Sequence, residues 1–201
     1  MFQSHFSYKI SRMKILKFAL FIILLMPLIY LVYLYQIQDL TADPIEYILH
    51  YTGIWTIRVL LLSLALTPLR NLFKQVFFLR VRRMVGLFVF FYATLHLLVY
   101  LGLDLGFRFG HLWEDIVKRP YITVGFLAWL LLVPMAITST NGMLRRLGKK
   151  WKTLHKSIYL IAILACLHFI WLVKADLVEP LIYSGLFFAL LFYRLIKYSK
   201  S

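Results

Sequence analysis

The chain holds a single cysteine, Cys166, in 201 residues. That excludes an internal disulfide framework, a paired-cysteine redox motif and a cysteine-ligated zinc site. Acids are nearly as scarce, with eight Asp and Glu against 23 Lys and Arg, for a formal charge of +15. Neither a GxGxxG nor a GxxxxGKS/T run occurs, so no recognisable dinucleotide or nucleoside triphosphate fold is present. No nucleophile, base and acid converge anywhere, which leaves no candidate catalytic residue. Apolar residues are abundant instead: 62% of the chain is hydrophobic, 17% aromatic and only 15% charged. A soluble domain carries about 25% charged and 45–50% apolar residues, so neither an ordinary globular domain nor a disordered chain fits. An isoelectric point near 10.0 suggests nucleic acid only if the charge does not flank membrane spans.

Six stretches approach the roughly 20 apolar residues that cross a bilayer: 15–35, 45–66, 84–103, 121–137, 154–173 and 181–196. The first exceeds a signal-peptide apolar core and has no small-residue cleavage site after it, so it reads as a retained span. Residues 1–201 thus form one membrane domain, an all-α six-helix transmembrane bundle with an N-terminal tail of about fourteen residues. The charges orient it. Seventeen basic residues flank one face: Lys9, Arg12, Lys14 and Lys17; Arg70, Lys74, Arg80, Arg82 and Arg83; Arg145, Arg146, Lys149, Lys150 and Lys152; and Arg194, Lys197 and Lys200. The other face has four, Arg108, Lys118, Arg119 and Lys174, together with all eight acids. The positive-inside rule puts both termini in the cytoplasm, and the +15 needs no nucleic acid. In the loop after the second span, Leu69, Leu72, Phe73, Val76 and Phe77 fall at helical spacing. They suggest either a short helix on the anionic inner leaflet or a merely greasy loop.

An imidazole inside a membrane needs a partner, and its neutral ring nitrogen is well suited to haem iron. His96 lies thirteen residues past Arg83, and His168 lies sixteen past Lys152. At about 1.5 Å per residue both reach similar heights in the outer half, on spans that run the same way. Facing each other, they would fill both axial positions of a b-type haem, which leaves electron transfer as its chemistry. The alternative is two histidines bonded separately to neighbouring helices. His155, three residues past Lys152, lies near the inner surface. It could ligate a second, inner haem or bond a lipid phosphate or propionate, and no histidine stands at the matching end of span three. His50, near the outer end of span two, could meet a quinone carbonyl, a haem propionate or nothing in particular. His5 and His111 read as loop residues.

Arg58 stands near the middle of span two with no acid inside any span to pair it. A guanidinium at that depth is a candidate contact for an anionic cofactor group, such as a haem propionate or flavin phosphate. Snorkelling to water is the alternative. Arg82 and Arg83, at the inner end of span three, are further candidates to hold a propionate, flavin or quinone.

Several pieces together resemble the MsrQ family, the haem-bearing membrane subunit of the bacterial periplasmic methionine sulfoxide reductase system, within the ferric reductase-like transmembrane group. They are Arg82-Arg83-Met84-Val85-Gly86-Leu87 with Tyr92-Ala93-Thr94-Leu95-His96-Leu97, and Leu147-Gly148-Lys149-Lys150-Trp151 with Leu154-His155 and Tyr159-Leu160. Ala42-Asp43-Pro44, His50-Tyr51-Thr52-Gly53, Arg119-Pro120-Tyr121 and Leu181-Ile182-Tyr183 extend the likeness from about Asp39 to Tyr193. The resemblance implies a multi-pass protein of the bacterial inner membrane carrying haem b and FMN. It implies electrons entering from the quinone pool or a cytosolic flavin reductase and leaving to a periplasmic molybdenum-containing methionine sulfoxide reductase. It also implies haem ligation by His96, His168 and His155. The related NADPH oxidases carry two histidines on each ligand helix; here span three has one, which tells against a second bis-histidine haem. The segment Asp104 to Arg119, with Trp113, is where a partner would dock. A cytochrome b subunit of another oxidoreductase is the nearest alternative, and a small multi-pass transporter the alternative from another class.

Overall fold

Hydrocarbon offers a backbone no hydrogen-bond partner, so an apolar span satisfies its own N–H and C=O groups as a helix. The computed structural model describes residues 2–173 and 176–199, without the side chains of 2–11, 109, 111, 198 and 199. Lys174, Lys200 and the side chains of His5, Lys9 and His111 lie outside the described residues. The helices are α1 (Phe2–Gln36), α2 (Pro44–Phe73), α3 (Phe77–Val99), α4 (Phe109–Lys118), α5 (Pro120–Ile137), α6 (Asn141–Leu147), α7 (Lys149–His155), α8 (Ile158–Leu172) and α9 (Val178–Ser199). Six stretches are long and apolar enough to cross a membrane, those of α1, α2, α3, α5, α7 with α8, and α9. The six expected spans are therefore present.

Their boundaries have local causes. Asp43 caps α2, its Oδ1 accepting from the Glu46 N–H at 3.0 Å, and Pro44 occupies the first turn, where its missing N–H costs nothing. At the far end α2 does not stop at Leu66. It runs to Phe73 and breaks at Lys74, which has a left-handed φ of 53°. Leu69, Leu72 and Phe73 thus end one span, and Phe77 begins the next. The short surface helix, one of the two readings of this segment, is not a separate element. The fifth span differs too: α7 ends at His155 and α8 starts at Ile158, with Lys156 and Ser157 as a turn between them. The helical step from His155 to His168 assumed in the sequence is interrupted there. At its C-terminal end α3 continues into a π-helical turn, Tyr100–Asp104, followed by left-handed Gly106 at φ 57°.

Five spans close a ring: α2 packs on α3, α3 on α5, α5 on α8, α8 on α9, and α9 back on α2. Leu60, Leu64, Val81, Val85, Val89, Ile161, Ala162 and Phe187 are buried between these helices. Without a hydrophobic drive between helices in lipid, such association rests on van der Waals packing and interhelical hydrogen bonds. α1 lies outside the ring against α2 and α3. The Tyr92 hydroxyl donates to the Leu24 carbonyl at 2.7 Å, and the Tyr51 hydroxyl to that of Pro27 at 3.0 Å. The exposed Ile15, Phe18, Ile23, Leu186, Phe188 and Phe192 form the apolar exterior that a lipid-facing surface requires.

The two ends of the bundle differ in charge. Asp43, Glu46 and Asp104 line one cleft where α2 begins and α3 ends. Asp115 there accepts from Tyr100 at 2.8 Å and pairs with Arg119 at 3.2 Å. At the opposite end, Arg83 donates to Asn141 at 2.6 Å, while Arg194 donates to Tyr159 at 2.7 Å and to the Leu64 carbonyl at 2.6 Å.

Candidate functional site

On α3 the buried residues Val85, Val89 and Ala93 recur every four positions, and His96, three residues further on, continues that inward stripe. On α8, Ile161 and Leu164 place His168 on the inward stripe in the same way. The two helices are not neighbours in the ring, yet the two imidazoles meet across its interior. Their ring centroids are 6.2 Å apart, with the planes at 79°. A metal–imidazole bond of about 2 Å plus a ring radius of about 1.2 Å on each side sets collinear imidazoles on one ion roughly 6.4 Å apart. The observed separation fits that span.

Each ring is tied by its other nitrogen. His96 Nδ1 lies 3.0 Å from the Leu49 carbonyl of α2, and His168 Nδ1 lies 2.7 Å from the Tyr121 carbonyl of α5. A carbonyl only accepts, so each Nδ1 carries the hydrogen. With no carboxylate beside either ring, Nε2 is left as a bare lone pair, the form that binds a metal. Thr52, buried on α2, donates its hydroxyl to the Ile48 or Leu49 carbonyl, 2.8 and 3.0 Å away, and its oxygen sits 3.4 Å from His96 Nδ1. Among the described residues no cluster of three or more His, Cys, Asp or Glu could hold a metal. An ion held between these imidazoles would have to take its remaining ligands from something other than side chains, as an iron in a planar macrocycle does.

Of the other residues singled out from the sequence, His50 lies within electrostatic reach of His96, and the rest stand apart from the pair. His155 stacks on Trp151 with centroids 3.7 Å apart, and its Nδ1 donates to the carbonyl of that same residue at 3.0 Å. Its Nε2 is 3.5 Å from the Ser139 hydroxyl. It stands at the basic end, within electrostatic reach of Arg82 and Arg83, so those three do converge, apart from the histidine pair. His50 faces Glu179 of α9 at 3.9 Å and the Phe169 ring at 6.3 Å. Arg58 is exposed on the flank of α2. Its Nε donates to the Tyr183 hydroxyl at 2.9 Å, and its guanidinium lies 5.0 Å from the centroid of the Trp55 ring. Its partners are uncharged protein groups on α2 and α9.

The sequence reading missed the two carbonyls and Thr52. No side-chain pattern marks a backbone acceptor, and a threonine in a helix interior is ordinary.

Comparison with known proteins gives a consistent result. The family described as "Ferric reductase like transmembrane component" matches residues 52–166. A protein-methionine-sulfoxide reductase heme-binding subunit MsrQ from Xanthomonas campestris pv. campestris (strain B100) is 56% identical over 158 residues, covering 79% of this chain and 72% of that protein. A protein of the same description from Rhodospirillum rubrum is 52% identical over 181 residues, covering 90% and 87%. No solved structure matches.

Proposed function

The chain belongs to the MsrQ family of ferric reductase-like transmembrane proteins, and from that premise we propose that it is a membrane electron-transfer subunit holding a b-type haem between His96 and His168. The observation that supports this reading is the pairing of two imidazoles at 6.2 Å, each anchored through Nδ1 to a helix carbonyl. A haem ligated by imidazole on both faces supplies one-electron transfer without an open coordination site. The chain's own part is to hold the rings in one tautomer and to fix the site between the two charged ends.

In this reading both termini face the cytoplasm of a bacterial inner membrane, as the basic loops require. Electrons come from the quinone pool or a cytosolic flavin reductase and go to a periplasmic molybdenum-containing methionine sulfoxide reductase. The outer surface for that partner is α4, where Trp113 and Val117 stand exposed four residues apart. An FMN phosphate would find its cations at the basic end, where Arg82, Arg83 and His155 converge.

The test is a reduced-minus-oxidised spectrum with pyridine haemochrome quantification per polypeptide. Wild type is expected to show a low-spin b-type spectrum, and His96→Ala and His168→Ala are each expected to lose it. Wild-type spectra in both variants would refute the assignment. Colourless, iron-free protein would point instead to a transporter using its intramembrane histidines for substrate or protons.

A further inference from the structure

The two histidines are held by the same local device, used twice. Gly53 follows Leu49 by four residues on α2, and Gly125 follows Tyr121 by four on α5. In a helix each side chain leans toward the N-terminus and covers the turn before it. A side chain at either glycine would therefore lie over the carbonyl four residues earlier, the one that receives the histidine. The structure gives the distances directly. A Cβ on Gly53 would stand 3.1 Å from His96 Cε1 and 3.3 Å from its Nδ1. A Cβ on Gly125 would stand 2.7 Å from His168 Nδ1 and 2.9 Å from its Cε1. The second is closer than real Cβ contacts allow, and the first is tight.

The spacing repeats as well. His96 follows Leu49 by 47 residues, and His168 follows Tyr121 by 47. Carbonyl, glycine and histidine thus recur in the same order and at the same intervals in the α2–α3 and α5–α8 units, although no sequence repeat is visible. By contrast, a Cβ on Gly86 of α3 or Gly185 of α9 would meet nothing within 4 Å. Gly102, in the π-helical turn after α3, also has a ring 3.2 Å away, that of Phe107, so close approach is particular to these three sites and not general to glycine in this bundle.

We propose that Gly53 and Gly125 are positioning residues for the paired histidines. Each leaves one helix carbonyl uncovered, and the imidazole seats in the gap. The Nδ1–H bond formed there fixes the tautomer and turns Nε2 toward the shared ion. This rests on the bis-histidine haem reading above. A bond from Nδ1–H to a carbonyl also raises the basicity of the opposite nitrogen. The cradle therefore strengthens both axial ligands, favours the ferric state and lowers the reduction potential.

The test uses the full chain purified with haem. Gly53→Ala, Gly125→Ala, Gly86→Ala and Gly185→Ala are compared by absorption spectrum, by carbon monoxide binding to the dithionite-reduced protein and by midpoint potential. Gly86→Ala and Gly185→Ala are expected to match wild type, itself expected to be six-coordinate and inert to carbon monoxide. Gly53→Ala is expected to keep haem, bind carbon monoxide in part and shift the midpoint upward. Gly125→Ala is expected to go further in the same direction, with a high-spin, carbon monoxide-reactive haem. If Gly125→Ala does not accumulate, Gly53→Ala decides by the same readouts. Wild-type spectrum, potential and carbon monoxide inertness in the cradle variants, or equal changes in the two control variants, would overturn the proposal. Failure of the haem reading itself looks different: His96→Ala and His168→Ala would then keep the wild-type spectrum.

Discussion

Replacing Arg58 and its partner Tyr183 tests whether a charge in the middle of a membrane span is a site or a balanced structural contact. Arg58 is the fifteenth of the thirty residues of α2, so it lies about 21 Å from the start of the helix and near its midpoint. A charge at the bilayer centre costs about 2.5–3.5 kcal/mol on an insertion scale. Against this stand the bond to the Tyr183 hydroxyl at 2.9 Å, about 1.5–3 kcal/mol for a charged donor, and the guanidinium over Trp55 at 5.0 Å, about 0.5–2 kcal/mol. The two gains together span the cost, so Arg58 is close to break-even. Arg58→Leu is therefore expected to change stability by less than about 1 kcal/mol, because cost and gains leave together. Tyr183→Phe removes only the gain and is expected to destabilise by about 1.5–3 kcal/mol. In the Arg58→Leu background the same change should cost almost nothing, a coupling of about 1.5 kcal/mol or more. Reversible unfolding in mixed detergent–dodecyl sulfate micelles, followed by circular dichroism for the four proteins, measures it. Coupling below about 0.5 kcal/mol would refute the accounting. Loss of haem or flavin in Arg58→Leu would return the residue to the cofactor role its depth first suggested.

His155→Ala is expected to retain the low-spin spectrum and the haem per chain, because its ring engages Trp151 and Ser139 and not the outer pair. A halved haem content in pyridine haemochrome assays would place a second haem at the basic end. Tyr92→Phe and Tyr51→Phe should each loosen α1 by about 0.6 kcal/mol, the average for interhelical bonds in a membrane. Proteolysis of α1 in detergent should rise in the double variant while the spectrum stays constant, and a changed spectrum would contradict the placement of α1 outside the ring. Asp43→Ala removes the cap on Glu46 N–H and should cost about 1 kcal/mol. Hydrogen exchange in the first turn of α2 reads it, and unaltered protection there would disprove the cap.

The sequence by itself determined the six spans, because in lipid an apolar run of sufficient length can satisfy its backbone only as a helix. It also placed His96 and His168 at one height, since rise per residue converts sequence position into depth. What a sequence period cannot carry is the order of helices around the ring, and that order settled the rest. Folding brought Leu49 to His96 and Tyr121 to His168 across 47 residues of chain. It gave Arg58 uncharged partners on α2 and α9, and it interrupted the fifth span beside His155. Gly53 and Gly125 read in the sequence as two glycines among nine. Their role exists only where a neighbouring imidazole occupies the space that a side chain would fill, and only packed helices define that space.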